Sequence, residues 1–226
     1  VECSSQGVVL GLRLPRERRL RIPAALFALL PPELEALDLS GTPGVFGALP
    51  PTLPTDLPSL RELNLAHCGL TGTVPGSFGS WPALEQLQLS HNRLAGLLPP
   101  ELAALDAAHT LDLSFNAFGG ALPPVWGSGF AQLRTLNLAN NALTHTVPPE
   151  WGSFPQLEEL YLQRNVLDGT LPSALANLAA LRVLWVSENR INGALPDLTA
   201  CAGLRELWAN GNLLPAGAGG PPPHPA

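Results

Sequence analysis

Leu157-Glu-Glu-Leu-Tyr-Leu-Gln-Arg-Asn-Val-Leu-Asp-Gly-Thr-Leu-Pro, ending at Pro172, is the stretch on which the fold turns. Leu160 and Leu162 flank Tyr161 at a spacing of two, so on an extended strand they share one face and Tyr161 takes the other. Asn165 follows where such a strand ends. Its amide offers donors and an acceptor to backbone groups that a turn leaves unpaired. Pro172 fixes φ and removes a ladder donor, which steers the return path to extended or 3-10 geometry rather than a long helix.

The same frame, L-x-x-L-x-L-x-x-N-x-L-x-G-x-(L/V)-P-x-x-L-x-x-L, recurs down almost the whole chain. Its first position falls at Val9, Leu34, Leu60, Leu84, Ala108, Leu133, Leu157, Leu181 and Leu204, at spacings of 25, 26, 24, 24, 25, 24, 24 and 23 residues. The Asn position holds Asn92, Asn116, Asn141, Asn165, Asn189 and Asn212 as structural residues, with Thr42 and Cys68 standing in earlier. One copy cannot fold alone. Its six or seven apolar side chains contribute about 1.5–3 kcal/mol each, a total below that of the roughly 1–2 kcal/mol of backbone entropy lost at each of about 24 residues. Neighbours must stack, and nine strands at roughly 4.8 Å apiece predict a sheet about 40 Å long. The first two copies depart from the frame, before Ile22 and around Pro43 and Pro54, where bulged loops are expected.

These segments, with Leu84-Glu-Gln-Leu-Gln-Leu-Ser-His-Asn-Arg-Leu-Ala-Gly, resemble the leucine-rich repeat family in its plant-type subclass. Thr146-Val-Pro-Pro-Glu-Trp also resembles repeats on surface antigens of trypanosomatid parasites. The resemblance implies an α/β repeat solenoid. Its expected form is a right-handed superhelix with one curved parallel sheet on the concave face and 3-10 or extended segments on the convex face. Glu2 to Val9 resembles the last part of a plant-type N-terminal cap, with Cys3 as one member of the usual cysteine pair. The expected division is a partial cap over 1–8, a solenoid of about nine repeats over 9–214, and a Pro/Gly-rich tail or linker over 215–226. Residue 1 is then not the natural start, and any signal peptide lies upstream.

Composition narrows the function. Among 226 residues there are 25 Pro, 22 Gly and 13% charged side chains, with 46% apolar, enough for a core. The longest apolar run, Ala24 to Leu30, is too short to span a bilayer. A net charge of −6 gives no basic face for nucleic acid. All cationic residues are Arg, and five of them between Arg13 and Arg21 read as a solvated edge before an anion site. No P-loop, Gly-x-Ser-x-Gly, His-Glu-x-x-His or dinucleotide fingerprint occurs, and no cofactor is expected. No enzyme is expected either. His67 and His91 share the eighth position of adjacent copies and read as a surface pair, lacking a third metal ligand. Cys68 reads as a buried structural thiol, Cys201 as a free one. The chain has no N-x-(S/T) sequon.

The frame leaves the fifth position free, between the two inward leucines. It reads Arg13, Asp38, Asn64, Gln88, Asp112, Asn137, Tyr161, Trp185, Trp208. Six polar residues give way to three aromatics on consecutive strands. Trp81, Trp126 and Trp151 occupy apolar frame positions and read as core. Exposed aromatics stabilise a sheet through same-face pairing, or form a contact surface of rigid area with polar handles. Around them Glu159, Gln163, Arg164, Val183, Glu188 and Glu206 are expected to make a polar rim of mixed charge, as at a protein, peptide or glycan site. Docking of a further C-terminal repeat is the other reading. The resemblance implies a non-catalytic recognition module, extracellular or at the cell surface, part of a receptor-like protein or kinase. It has protein or peptide partners, no nucleic acid, and membrane contact only through segments outside this stretch. An inhibitor similar to those of plant polygalacturonases, or a structural wall or surface protein with a Pro-rich extension, are the alternatives.

Overall fold

The computed structural model describes residues 2–3, 9–13, 22–23, 27 and 29–215. Each copy of the frame contributes one short strand: Val9–Arg13, Ala36–Asp38, Glu62–Asn64, Gln86–Gln88, Thr110–Asp112, Thr135–Asn137, Glu159–Tyr161, Val183–Trp185 and Glu206–Trp208. They pair in chain order and all in parallel, with each frame position opposite its equivalent. Glu2–Cys3 adds an antiparallel tenth strand at the Val9–Arg13 edge. The side chain of Cys3, the arginines from Arg16 to Arg21 and residues 216–226 lie outside the described residues. Every pair of inward leucines from Leu37 and Leu39 to Leu184 and Val186 is buried, at 0–2% exposure. Leu207, on the last strand, is only partly covered.

A second sheet accompanies the first, and the leucine periodicity does not announce it. Its strands run just after the Asn position: Ile22–Pro23, Val45–Ala48, Gly69–Gly72, Arg93–Gly96, Ala117–Gly120, Ala142–His145 and Val166–Leu167, again parallel and in chain order. The six strands from Val45–Ala48 on each give the core one large apolar side chain, such as Leu94, Phe118 or Leu143. The prolines at the sixteenth position then set the return path. Pro75, Pro99, Pro148 and Pro172 are extended, and each precedes a five-residue 3-10 turn. Two further copies use single α-turns, Leu53–Asp56 and Trp126–Gly129. The residues that the second copy gains around Pro54 are thus wound into a helical turn rather than a bulged loop. Trp81, Trp126 and Trp151 fill the core behind these turns, and each indole N–H donates to a carbonyl of the preceding coil, at Leu57, Pro99 and Pro123.

Coils are tied together by the Asn side chains. Asn165 donates through Nδ2 to the carbonyls of Leu162 in its own coil and Leu138 in the preceding one, both at 3.0 Å, and accepts from the Leu143 N–H through Oδ1 at 3.1 Å. Asn92, Asn116, Asn141, Asn189 and Asn212 repeat this pattern. The stand-ins do less: the Cys68 thiol reaches the Leu39 carbonyl at 3.3 Å, and the buried Thr42 hydroxyl has no partner.

A second fit between coils explains the glycine of the frame. Gly169 has φ +67°, and a Cβ there would lie 2.5 Å from Thr146 Cγ2 of the preceding coil. Gly193 meets Thr170 in the same way. His145 occupies this position with φ +65°, and the residue equivalent to Thr146 in the coil before it is Ala121, which has no atom beyond Cβ. Gly169→Ala is therefore expected to lower unfolding free energy by about 1–3 kcal/mol, while His145→Gly stays within about 1 kcal/mol of the parent. Asn165→Ala, which strands two carbonyls and an N–H, should cost a similar 1–3 kcal/mol. Urea unfolding midpoints measure all three.

Candidate functional site

Outward from the ten-stranded sheet, each strand displays its third and fifth frame residues. Tyr161, Trp185 and Trp208 stand in register on three adjacent strands. Each ring is half-buried. Tyr161 and Trp185 meet edge to face with centroids 5.2 Å apart, and Trp185 and Trp208 do the same at 6.2 Å. The third-position row beside them reads Glu159, Val183, Glu206. The Tyr161 hydroxyl donates to Glu159 Oε2 at 3.2 Å, and the Trp185 and Trp208 indoles both donate to Glu206 Oε2, at 3.1 and 3.4 Å. Partial burial and the charges of Glu159 and Glu206 push the Tyr161 phenol up to about 12.

Comparison with the preceding strands shows what the aromatics displace. Asp38, Asn64, Asp112 and Asn137, at the same position, each accept the backbone N–H two residues on through Oδ1. These side chains close the turn locally. An aromatic ring has no acceptor to do so. Four of the six polar ladder residues are therefore turn chemistry, and the aromatic strands give that bond up.

The expected rim is only partly assembled. Glu159, Val183 and Glu206 lie directly against the rings. Arg164 and Glu188 sit in the turns after their strands and bind one another in a two-pronged ion pair, 3.0 and 3.2 Å. Gln163 is half-buried, and its side-chain oxygen is sealed from solvent with no hydrogen-bond partner, so it is a wall rather than a rim residue. Along the opposite flank Arg134 and Arg182 share the Glu158 carboxylate, at 3.0 and 2.8 Å.

A different row was not foreseen. The eighth position is left-handed in every copy from the second on: Gly41, His67, His91, Phe115, Asn140, Arg164, Glu188 and Gly211 all have φ between +52° and +69°. The two glycines in that row were the available signal. On this repeated corner His67, His91 and Phe115 stack face to face, with centroids 3.9 Å apart at both contacts. Desolvation first and then His67 hold the His91 pKa below its usual value. Parallel stacked rings do not converge their nitrogens on one point, so the histidines do not form a metal site. No group of three metal-ligating side chains occurs among the described residues. Burial first pushes the Cys68 thiol up to about 11, and Cys201 is buried at 4% exposure, its thiol reaching the Leu175 carbonyl of the preceding coil at 3.5 Å. No helix among the described residues is long and apolar enough to cross a membrane.

The leucine rich repeat model matches residues 32–94, 58–118 and 107–167. The chain belongs to the leucine-rich repeat family. No curated protein matches this repeat chain in sequence. Among solved structures it is similar to the ectodomain of the Arabidopsis thaliana membrane receptor kinase GASSHO1/SCHENGEN3 in complex with CASPARIAN STRIP INTEGRITY FACTOR 2. They share 33% identity with a TM-score of 0.76, over 86% of this chain and 23% of that one. PEPR1 in complex with AtPEP1 is 31% identical, TM-score 0.76, over 93% of this chain and 31% of that one. A plant ice-binding protein is 25% identical, TM-score 0.69, over 94% of this chain and 76% of that one. The chain thus spans a third or less of the GASSHO1/SCHENGEN3 and PEPR1 chains. The plant-type assignment read from the 24-residue frame agrees with these neighbours.

Tyr161 is the single tyrosine of the chain, which makes its ionisation directly observable. Phenolate absorbance should titrate with a midpoint near 12. Glu159→Gln should lower the midpoint by about one pH unit and leave the share due to burial. Because the folded state holds this proton more tightly than the unfolded state, its contribution to stability is lost as pH rises from about 10 to about 12.

Proposed function

We propose that this leucine-rich repeat stretch is a non-catalytic recognition module of an extracellular or cell-surface receptor-like protein. It binds a peptide or protein through the outward face of its ten-stranded sheet, centred on Tyr161, Trp185 and Trp208. The observation that carries this reading is the exchange at the fifth position: three strands give up a turn-closing bond and set a row of rings at the surface instead. Trp and Tyr offer large rigid contact area at low entropic cost and dominate interface energetics. The neighbours support it, since the GASSHO1/SCHENGEN3 ectodomain is in complex with CASPARIAN STRIP INTEGRITY FACTOR 2 and PEPR1 with AtPEP1. The fold alone does not decide, because the same architecture also builds an ice-binding protein. Of the rim residues, Glu159 and Glu206 contact the ligand directly, while Arg164, Glu188 and Gln163 shape the flank.

A random-peptide phage library panned against the chain tests this reading. Selected peptides are expected to lose about tenfold or more in affinity with Trp185→Ala or Trp208→Ala, roughly 1.4 kcal/mol. Gln88→Ala, on the polar half of the same face, should leave them unchanged. Unfolding free energy of Trp185→Ala should fall by about 1–2 kcal/mol, the worth of its two same-face aromatic pairs. Peptides that bind all three variants as well as the parent would remove the aromatic ladder from the site.

A further inference from the structure

The carboxylates on this molecule are not alike. Glu62, Glu85, Glu158 and Glu188, all beside the ten-stranded sheet, each meet an arginine, at 3.8, 2.7, 2.8 and 3.0 Å in turn. Glu159 and Glu206 meet none among the described residues. One oxygen of each is engaged by ring donors and, for Glu159, by the Thr135 hydroxyl at 3.3 Å. Such donors satisfy hydrogen-bonding capacity without neutralising charge. The two residues are also placed symmetrically. Glu159 pairs across to Val183, and Val183 to Glu206, so the two backbones stand two strand spacings, about 10 Å, apart. Only the short side chain of Val183 lies in that row between them. The fifth-position row alongside is Tyr161, Trp185, Trp208, with the Trp185 ring edge to face with each neighbour. An aromatic wall next to uncompensated negative charge is the environment that attracts a cation, through the charge and through the ring quadrupoles together.

We propose that the ligand of this face presents an arginine or lysine side chain, which seats over Val183 between the Glu159 and Glu206 carboxylates and against the Trp185 ring. This rests on the binding face proposed above and adds the chemistry of the residue at its centre. The Tyr161 phenol, pushed to about 12 by burial first and then by Glu159 and Glu206, feels the same two charges. The site is built for charge complementarity: a cation supplies what the arginines supply to the other four glutamates.

Titration of the full chain with N-acetyl-arginine amide tests it, with the neutral isostere N-acetyl-citrulline amide as control. The five indole N–H resonances are the readout, because Trp81, Trp126 and Trp151 are buried internal references. The Trp185 and Trp208 signals are expected to shift saturably with the arginine probe, about tenfold more tightly than with citrulline. Glu159→Gln and Glu206→Gln should each weaken the arginine response several-fold, and added salt should weaken it further. Equal response to the two probes, no saturable shift with arginine, or indifference to both glutamate substitutions would overturn the proposal. Panning separates this failure from that of the binding face: peptides that need Trp185 but carry no enriched arginine or lysine refute the cation and keep the face.

Discussion

The backbone at the exit of each strand holds the molecule together. There the chain leaves the ladder and turns, and its carbonyls would be stranded in the interior without a partner. The Asn amide of the following coil supplies that partner while also holding a carbonyl of its own coil and an N–H of the coil before. Burying unpaired backbone groups costs about 1–3 kcal/mol each, so a coil without a neighbour is left unsatisfied as well as uncovered. Leucine burial gives the stack its driving force, and the amide ladder gives it register. Where the amide is replaced, at Thr42 and Cys68, the coupling is thinner, and around Thr42 the frame is also irregular.

Much of this was legible in the residues. The spacing of two between Leu160 and Leu162 predicts which face is buried, and the structure buries both completely. The prolines predict 3-10 turns in place of helices, and four coils follow suit. The second sheet was not legible, because its strands from Val45–Ala48 on each bury a single large side chain, too short a run to show a period of two. The left-handed corner was hidden for another reason. His, Phe, Asn, Arg and Glu all occupy it, and backbone geometry imposed by the two flanking elements overrides residue preference there. Residue identity alone then predicts a surface histidine pair, whereas the repeated corner turns that pair and Phe115 into one column.

The aromatic ladder was legible as a row but not as a chemistry. Frame position places Tyr161, Trp185 and Trp208 side by side; it does not say that both indoles share one carboxylate oxygen of Glu206. Nor does it separate Arg164 and Glu188, which neutralise each other, from Glu159 and Glu206, which remain uncompensated. The distinction depends on side-chain reach across strands. Polar residues at the same position on earlier strands look like a recognition surface in sequence and prove in good part to be closing their own turns.

The contact between Gly169 and Thr146, and the pairing of His145 with Ala121, mean that a coil is not a free-standing module. The shape of one residue is chosen by a residue some two dozen positions earlier, so the two must drift together over evolution. Excising a coil, duplicating it or transplanting it to another array would split such couples at both seams. Engineered arrays built from this chain should therefore be cut between the glycine and the strand that follows it, carrying each threonine or alanine along with the residue it has shaped.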